Sequence, residues 1–106
     1  MQIESIKAFK KELKSLSKKY PSLPMDLRNL LIQILENPFL GEPLGKNCYK
    51  IRLKISSKNT GKSGGARIIT YVHVEGETVT LLSIYDKSEQ GDILDAEIKK
   101  RLNSLD

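Results

Sequence analysis

Apolar residues recur along this chain at two different periods. Phe9, Leu13, Leu16 and Tyr20 fall at helical spacing with lysines between them, and Leu27, Leu30, Leu31, Ile34 and Leu35 form a second such stripe after Pro21 and Pro24. The first stripe predicts an amphipathic helix ending before Pro21. The second predicts a helix stopping at Asn37-Pro38, because proline disfavours helical backbone in the residue ahead of it. A short loop between them makes a helical hairpin, and Gln2 to Ile6 ahead of it reads as a short strand.

From Pro38 to Lys46, the residues Pro38, Gly41, Pro43 and Gly45 mark a connection. The period then drops to two, with Tyr49, Ile51, Leu53 and Ile55 alternating with Lys50, Arg52 and Lys54, the pattern of a half-buried strand. Ser56 to Gly65 has loop composition, and Ala66 to Val74 returns to strand composition. Glu75-Gly76-Glu77 is a turn, and Thr78 to Tyr85 is the next strand, paired with its predecessor as an antiparallel hairpin. Asp86 or Ser88 is expected to cap a last helix, with Glu89 and Asp92 in its first turn and Lys99, Lys100 and Arg101 in its last. Leu94, Ile98, Leu102 and Leu105 give that helix its apolar stripe. The expected class is α+β: an N-terminal helical hairpin packed on a small antiparallel sheet (a short first strand plus a three-strand meander), followed by a C-terminal helix.

With 106 residues and a hydrophobic fraction of 39%, residues 1–106 are expected to form one domain with one core. The single cysteine, Cys48, excludes an internal disulfide framework and a Cys-rich zinc site. The N-terminal MQIESIKAFKKELK lacks the apolar run of a signal peptide, and no stretch is long and apolar enough to span a membrane, so a cytoplasmic protein is expected.

The 18 basic and 13 acidic residues give a formal charge of +5, and their distribution is more informative than their sum. Pro43 to Val74 contains no Asp or Glu but carries Lys46, Lys50, Arg52, Lys54, Lys58, Lys62 and Arg67. From Glu75 onward eight acidic residues face four basic ones. A one-sided cationic surface favours a polyanionic partner, most often nucleic acid, whose phosphates release counterions on binding.

Within the basic stretch, strand alternation places Lys50, Arg52 and Lys54 on one face. A solvated outer face is the commonest fate of such a strand, but like charges on one face repel and no acid in the neighbouring sequence relieves them, which favours an anion site. Gly64 and Gly65 allow positive φ just before the next strand, where amides could approach a phosphate, although their spacing alone favours a plain flexible turn. Arg67 follows, and its guanidinium could clamp a phosphate with two hydrogen bonds. Ser83, Tyr85 and Lys87 share one parity, so a phenol and an ammonium should emerge near each other at the sheet rim. His73, the only histidine, reads as structural. No metal-ligand cluster, catalytic triad or Walker-type loop is visible.

Taken in order, YKIRLK, GKSGGARIITY and LLSIYDKSE followed by a short helix resemble the RelE/ParE superfamily of bacterial toxins from type II toxin-antitoxin modules. The resemblance covers nearly the whole chain, including KELKSLSKKYPSL and NPFLGEPL. For RelE-like members it implies cleavage of messenger RNA in the ribosomal A site, without metal or other cofactor. The 2′-hydroxyl attacks its adjacent phosphate, leaving a cyclic phosphate and a free 5′-hydroxyl. On that reading Lys50, Arg52, Lys54 and Arg67 orient the scissile phosphate and stabilise its developing charge, Tyr85 or one lysine handles protons, and Lys87 stabilises the leaving oxygen. The catalytic set is thus Arg52, Lys54, Arg67, Tyr85 and Lys87, with Lys46, Lys50, Lys58 and Lys62 binding RNA. Arg67 matches a RelE-like arginine position, Arg52 and Lys54 approximate the basic residues of the preceding strand, and Lys87 falls where RelE carries an arginine. The tyrosine of the RelE C-terminal segment has no counterpart, since Ile93 stands roughly there. The implied partners are a cognate antitoxin, the ribosome and messenger RNA. Two other readings stand beside this one: a ParE-like inhibitor of DNA gyrase that acts by binding, and a catalytically inert RNA-binding or interaction domain.

Overall fold

The computed structural model describes residues 1–58, 64–93 and 95–105, in the order β1 (Gln2–Ser5), α1 (Lys7–Lys19), α2 (Leu23–Glu36), β2 (Glu42–Gly45), β3 (Cys48–Leu53), β4 (Ala66–His73), β5 (Thr78–Asp86) and α3 (Asp95–Asn103). The expected α+β architecture is present. The five strands form one sheet in the order β1-β5-β4-β3-β2. The β3-β4-β5 meander is antiparallel, as its short connections dictate. β1 differs from a purely antiparallel sheet, for it pairs parallel with β5, Gln2 opposite Thr78 and Ser5 opposite Leu81. The intervening helical hairpin carries the chain across the sheet before the meander begins.

A second difference is β2, which lies within the stretch expected to be a connection. All four of its residues are exposed, so no hydrophobic pattern announces it; it is held by backbone pairing to β3. The two-residue turn Lys46-Asn47 joining them has positive φ at both positions (53° and 61°), as a type I′ hairpin turn requires.

The hairpin α1-α2 covers one face of the sheet. Phe9, Leu23, Leu27, Leu30 and Ile34 pack there against Ile51, Leu53, Ile68, Val72, Val79 and Ile84. Pro24 in the first turn of α2 has the φ that a helix start needs and lacks only an amide that would be unpaired there anyway. α3 covers part of the opposite face, where Ile98, Leu102 and Leu105 meet Cys48, Ile69, Leu82 and Tyr85. Leu94, expected in the same stripe, lies outside the described residues.

α3 begins at Asp95, not at the cap expected near Asp86 or Ser88. Asp86 instead ends β5 with its side chain buried in the helical-hairpin side of the sheet. Its carboxylate accepts hydrogen bonds from Tyr20 Oη at 2.6 Å and from Lys58 Nζ at 2.8 and 3.0 Å. The backbone N–H and hydroxyl of Ser88 donate to it as well. Glu89 and Asp92 therefore belong to the connection ahead of α3, and Glu89 pairs with Lys19 at the end of α1. Among the described residues, no helix is long and apolar enough to cross a membrane.

Candidate nucleic-acid interface

On β3, Tyr49, Ile51 and Leu53, with Ile55 just beyond it, join the core beneath the helical hairpin, and the intervening Lys50 and Arg52 project from the other face, Arg52 exposed. Lys54 follows the end of the strand, exposed and beside Asp26 of α2, so the structure does not bring it into one row with them as the alternation predicted. Strand pairing sets Arg52 opposite Arg67 and Arg67 opposite Tyr85. Alternation then gives the three side chains one face and one row across β3, β4 and β5. Lys50 lies two residues before Arg52, and Lys87 two residues beyond Tyr85.

Tyr85 reaches this face because of a bulge. Ile69 pairs with Ser83 but Thr70 with Leu81, so β5 carries one extra residue, Leu82. Before the bulge Val79 and Leu81 face the helical hairpin; after it Ile84 does, leaving Tyr85 on the face of Leu82 and α3. A bulge of this kind re-aims every later side chain in its strand. An unbroken alternation from Val79 would have sent Tyr85 into the helical-hairpin core.

The row is graded in burial. Arg52 is exposed, whereas Arg67 and Tyr85 are only 5% and 4% exposed. The Arg67 guanidinium donates to the Ala66 carbonyl at 3.1 Å, and Tyr85 Oη accepts the Ile93 backbone N–H at 3.3 Å. That bond leaves the phenolic O–H available as a donor.

Two acids not anticipated from the sequence complete the face. Asp92 Oδ1 accepts from Lys87 Nζ at 2.9 Å and from Lys50 Nζ at 3.3 Å. Glu42 of β2 lies 3.5 Å from the same Lys50 ammonium. The expectation that no acid relieves the basic strand is thereby corrected for Lys50: its counter-charges arrive from outside the Pro43–Val74 stretch, through β2 and the β5-α3 connection. Burial disfavours the Lys50 charge, but Asp92 and Glu42 outweigh it and hold the ammonium pKa above the ordinary lysine value. Lys50 is a fixed cation, not a proton acceptor. The hydrogen bonds from Lys87 and Lys50 hold the Asp92 carboxyl below its usual range.

Not every basic residue of the stretch stands here. Lys46 occupies the β2-β3 turn at the other end of β3, beside Leu102 of α3. Lys58 lies across the sheet in its ion pair with Asp86, a position that spacing could not reveal because its partner is 28 residues away. Lys62 lies outside the described residues. Gly65 also has a different role from the one its flexibility suggested. The glycines with positive φ among the described residues are Gly41 and Gly45, whereas a Cβ on Gly65 would sit 2.3 Å from the Leu53 carbonyl oxygen. Close approach of β4 to β3, not an unusual backbone angle, demands glycine there.

Two other side chains are accounted for by packing. Cys48 is buried beneath α3, and burial pushes its thiol pKa up, opposite to what a reactive thiolate needs. His73 stacks on Tyr71 with ring centroids 6.3 Å apart. Among the described residues, no three His, Cys, Asp or Glu side chains are grouped so as to hold a metal ion.

No protein-family profile matches the chain. Solved structures do. A double arginine-to-alanine variant of the E. coli toxin RelE in the free state superposes with a TM-score of 0.65 at 20% identity, over 98% of this chain and 96% of that one. The intact E. coli RelBE toxin-antitoxin complex gives 0.62 at 24% identity, over 80% of this chain and 94% of that one. The same RelE variant bound to an antitoxin RelB peptide gives 0.60 at 21% identity, over 95% and 92%. At such identities the shared property is the three-dimensional arrangement, and this chain therefore has the RelE-like fold that its strand and loop motifs resemble.

Proposed function

We propose that this chain is the toxin of a type II toxin-antitoxin pair and that it cuts messenger RNA in the ribosomal A site. The observation that carries the reading is the row Arg52-Arg67-Tyr85, flanked by Lys50 and Lys87, which meet at Asp92. Two arginines directly opposite each other on adjacent strands could both donate to the non-bridging oxygens of a phosphodiester laid across them.

The chemistry needs no more than this face supplies. The RNA 2′-oxygen forms a bond to its adjacent phosphorus, its proton passing to a base, while the bond from phosphorus to the 5′-oxygen breaks and that oxygen takes up a proton. Negative charge grows on the non-bridging oxygens as the phosphorus becomes five-coordinate. On this reading Arg52 and Arg67 stabilise it, the usual dominant electrostatic contribution, with Lys54 adding a more distant positive charge. In this scheme Tyr85, whose Oη accepts the Ile93 amide, donates to the departing 5′-oxygen. Lys87 supports the charge that develops on the same oxygen. The proton acceptor is a neighbouring lysine of the face other than Lys50, which its carboxylate neighbours keep charged.

An antitoxin partner follows from the same reading. RelE is found with its antitoxin RelB among the solved structures that share this fold. A chain carrying acidic and apolar residues suits the cationic face and the exposed Met25, Ile32 and Leu35 of α2.

Induced expression in a bacterial host, with messenger RNA 5′ ends mapped within minutes, tests the proposal. New ends in translated frames are expected for the unaltered chain and not for Arg52→Ala. Because Arg52 is exposed, the melting curves of the two proteins should coincide. Growth arrest without new ends would redirect the search to gyrase or another target. Ends that persist in Arg52→Ala would remove this face from the chemistry.

A further inference from the structure

The connection between β5 and α3 lies across the candidate face and is fastened there at two successive residues. Asp92 places a single carboxylate oxygen between the ammonium groups of Lys50 and Lys87, and Ile93 donates its backbone N–H to Tyr85 Oη. Lys50 rises from β3 and Lys87 follows the end of β5, so the two cations come from opposite sides of β4, the strand that carries Arg67. They nevertheless converge on one oxygen. Their side chains are 19% and 33% exposed, whereas that of Asp92 is 55% exposed. The cations are thus set into the protein and the anion sits on the solvent side of them.

We infer that the Asp92 carboxylate occupies a phosphate seat between Lys50 and Lys87, so that the β5-α3 connection acts as an internal competitor that an RNA strand must displace. This inference rests on the RNA-cutting reading of the face and adds to it a specific subsite and a built-in restraint. A carboxylate and a phosphodiester each carry one negative charge and two oxygens able to accept from both ammonium groups. The outer position of Asp92 makes the exchange feasible, because ion pairs open to solvent are individually weak and screened by salt. A polyanion that also engages Arg52 would outcompete a single tethered carboxylate. Displacing Asp92 would also draw the adjacent Ile93 amide away from Tyr85, so seating of a phosphate and release of the phenol would be linked.

The test measures binding of a fluorescent single-stranded 2′-O-methyl RNA, which cannot be cut, by anisotropy over a range of salt concentrations. Asp92→Asn is expected to bind about fivefold more tightly at low salt, the equivalent of one screened ion pair. Its plot of log affinity against log salt should steepen by about 0.7, one additional phosphate neutralised. The same substitution in a Lys50→Met/Lys87→Met background should change nothing, which separates competition at this seat from a general gain of positive charge. Unchanged or weaker binding by Asp92→Asn would overturn the inference, as would equal tightening in the double-Met background. Arg52→Ala examines the underlying reading separately. If it weakens RNA binding while Asp92→Asn has no effect, the face binds RNA and only the competitor role fails. Absence of binding by every variant removes both.

Discussion

Glu12 of α1 and Arg101 of α3 meet across the edge of β5 that β1 leaves unpaired. β1 accompanies β5 only as far as Leu81, and beyond it the Arg101 guanidinium donates to the Leu82 carbonyl at 2.7 Å while Glu12 Oε1 accepts the Ile84 N–H at 3.2 Å. The two side chains are themselves joined by hydrogen bonds of 2.9 and 3.1 Å. They take the place of a neighbouring strand at the bulge and tie the helices on opposite faces of the sheet to the strand that carries Tyr85. An uncovered edge would otherwise invite pairing with another chain.

Breaking that clamp should therefore cost more than a surface ion pair. Arg101→Ala leaves Glu12 without its cationic partner and removes the side-chain donor to the Leu82 carbonyl, and roughly 2 kcal/mol of destabilisation is expected in urea unfolding. Glu12→Gln should cost less, since the amide oxygen can still accept from Ile84. The double variant should fall short of the sum of the single ones by a clear coupling energy. Additive effects would show that the two residues act independently.

Asp86 gives the protein an acid-sensitive bond. Burial raises its pKa, but hydrogen bonds from Lys58, Tyr20 and Ser88 outweigh that and hold the folded-state carboxyl well below the usual carboxylate range. A folded-state pKa depressed below the unfolded value of about 3.9 contributes stability that is fully present above that value and is lost as pH falls toward the folded one. Asp86→Asn should cost roughly 2 to 3 kcal/mol at neutral pH. Its difference from the unaltered chain should shrink below about pH 4, by up to roughly 1.4 kcal/mol per pH unit. Urea titrations across that range would reveal a constant difference if Asp86 were not the group responsible.

The periodicities carried the helical hairpin, the meander and the face on which Lys50 and Arg52 sit, because burial on one side imposes a 3.6- or 2-residue repeat that any reader of the sequence can find. What they left hidden has no such repeat. β2 is held by backbone bonds with exposed side chains, so Glu42 and Pro43 look like connection. The parallel pairing of β1 with β5 depends on where the hairpin delivers the chain, which no local pattern encodes. Asp86 has the composition of a helix cap, yet its partners are Lys58 and Tyr20, far off in sequence. Asp92 and Ile93 reach the site from the connection ahead of α3 for the same reason. The bulge at Leu82 lies within a run of apolar residues that would suit either face.

Gly65 tests whether the register of the arginine row depends on close packing of β3 and β4. A methyl group at this position would meet the Leu53 carbonyl oxygen at 2.3 Å, a backbone atom that cannot swing aside. Gly65→Ala should destabilise the fold by about 1 to 3 kcal/mol and lower activity through displacement of the nearby Arg67. Gly91 offers the contrast, since a Cβ there meets nothing within 4 Å. Gly91→Ala should be neutral or stabilising by up to about 1 kcal/mol. Equal thermal shifts for the two variants would mean that the contact at Leu53 relaxes without cost.

Tyr85 separates proton transfer from phosphate binding more cleanly than any cation on the face. Its ring packs among Leu82 and Ile98 beneath α3, and only its hydroxyl reaches the Ile93 amide. Tyr85→Phe keeps the ring and removes the oxygen, so the loss of one hydrogen bond should cost about 1 kcal/mol of stability and leave RNA affinity nearly unchanged. If the phenol delivers the proton to the leaving 5′-oxygen, single-turnover cleavage should fall by roughly 10²- to 10⁴-fold, the range of a general acid removed from its reaction. A leaving oxygen that no longer needs that proton should rescue the variant: RNA bearing a 5′-bridging sulfur at the scissile position departs as a thiolate and should be cut by Tyr85→Phe nearly as fast as by the unaltered chain. Cleavage of ordinary RNA at an undiminished rate would instead make Tyr85 a packing residue and transfer the acid role to Lys87, the next residue of the same parity along the chain.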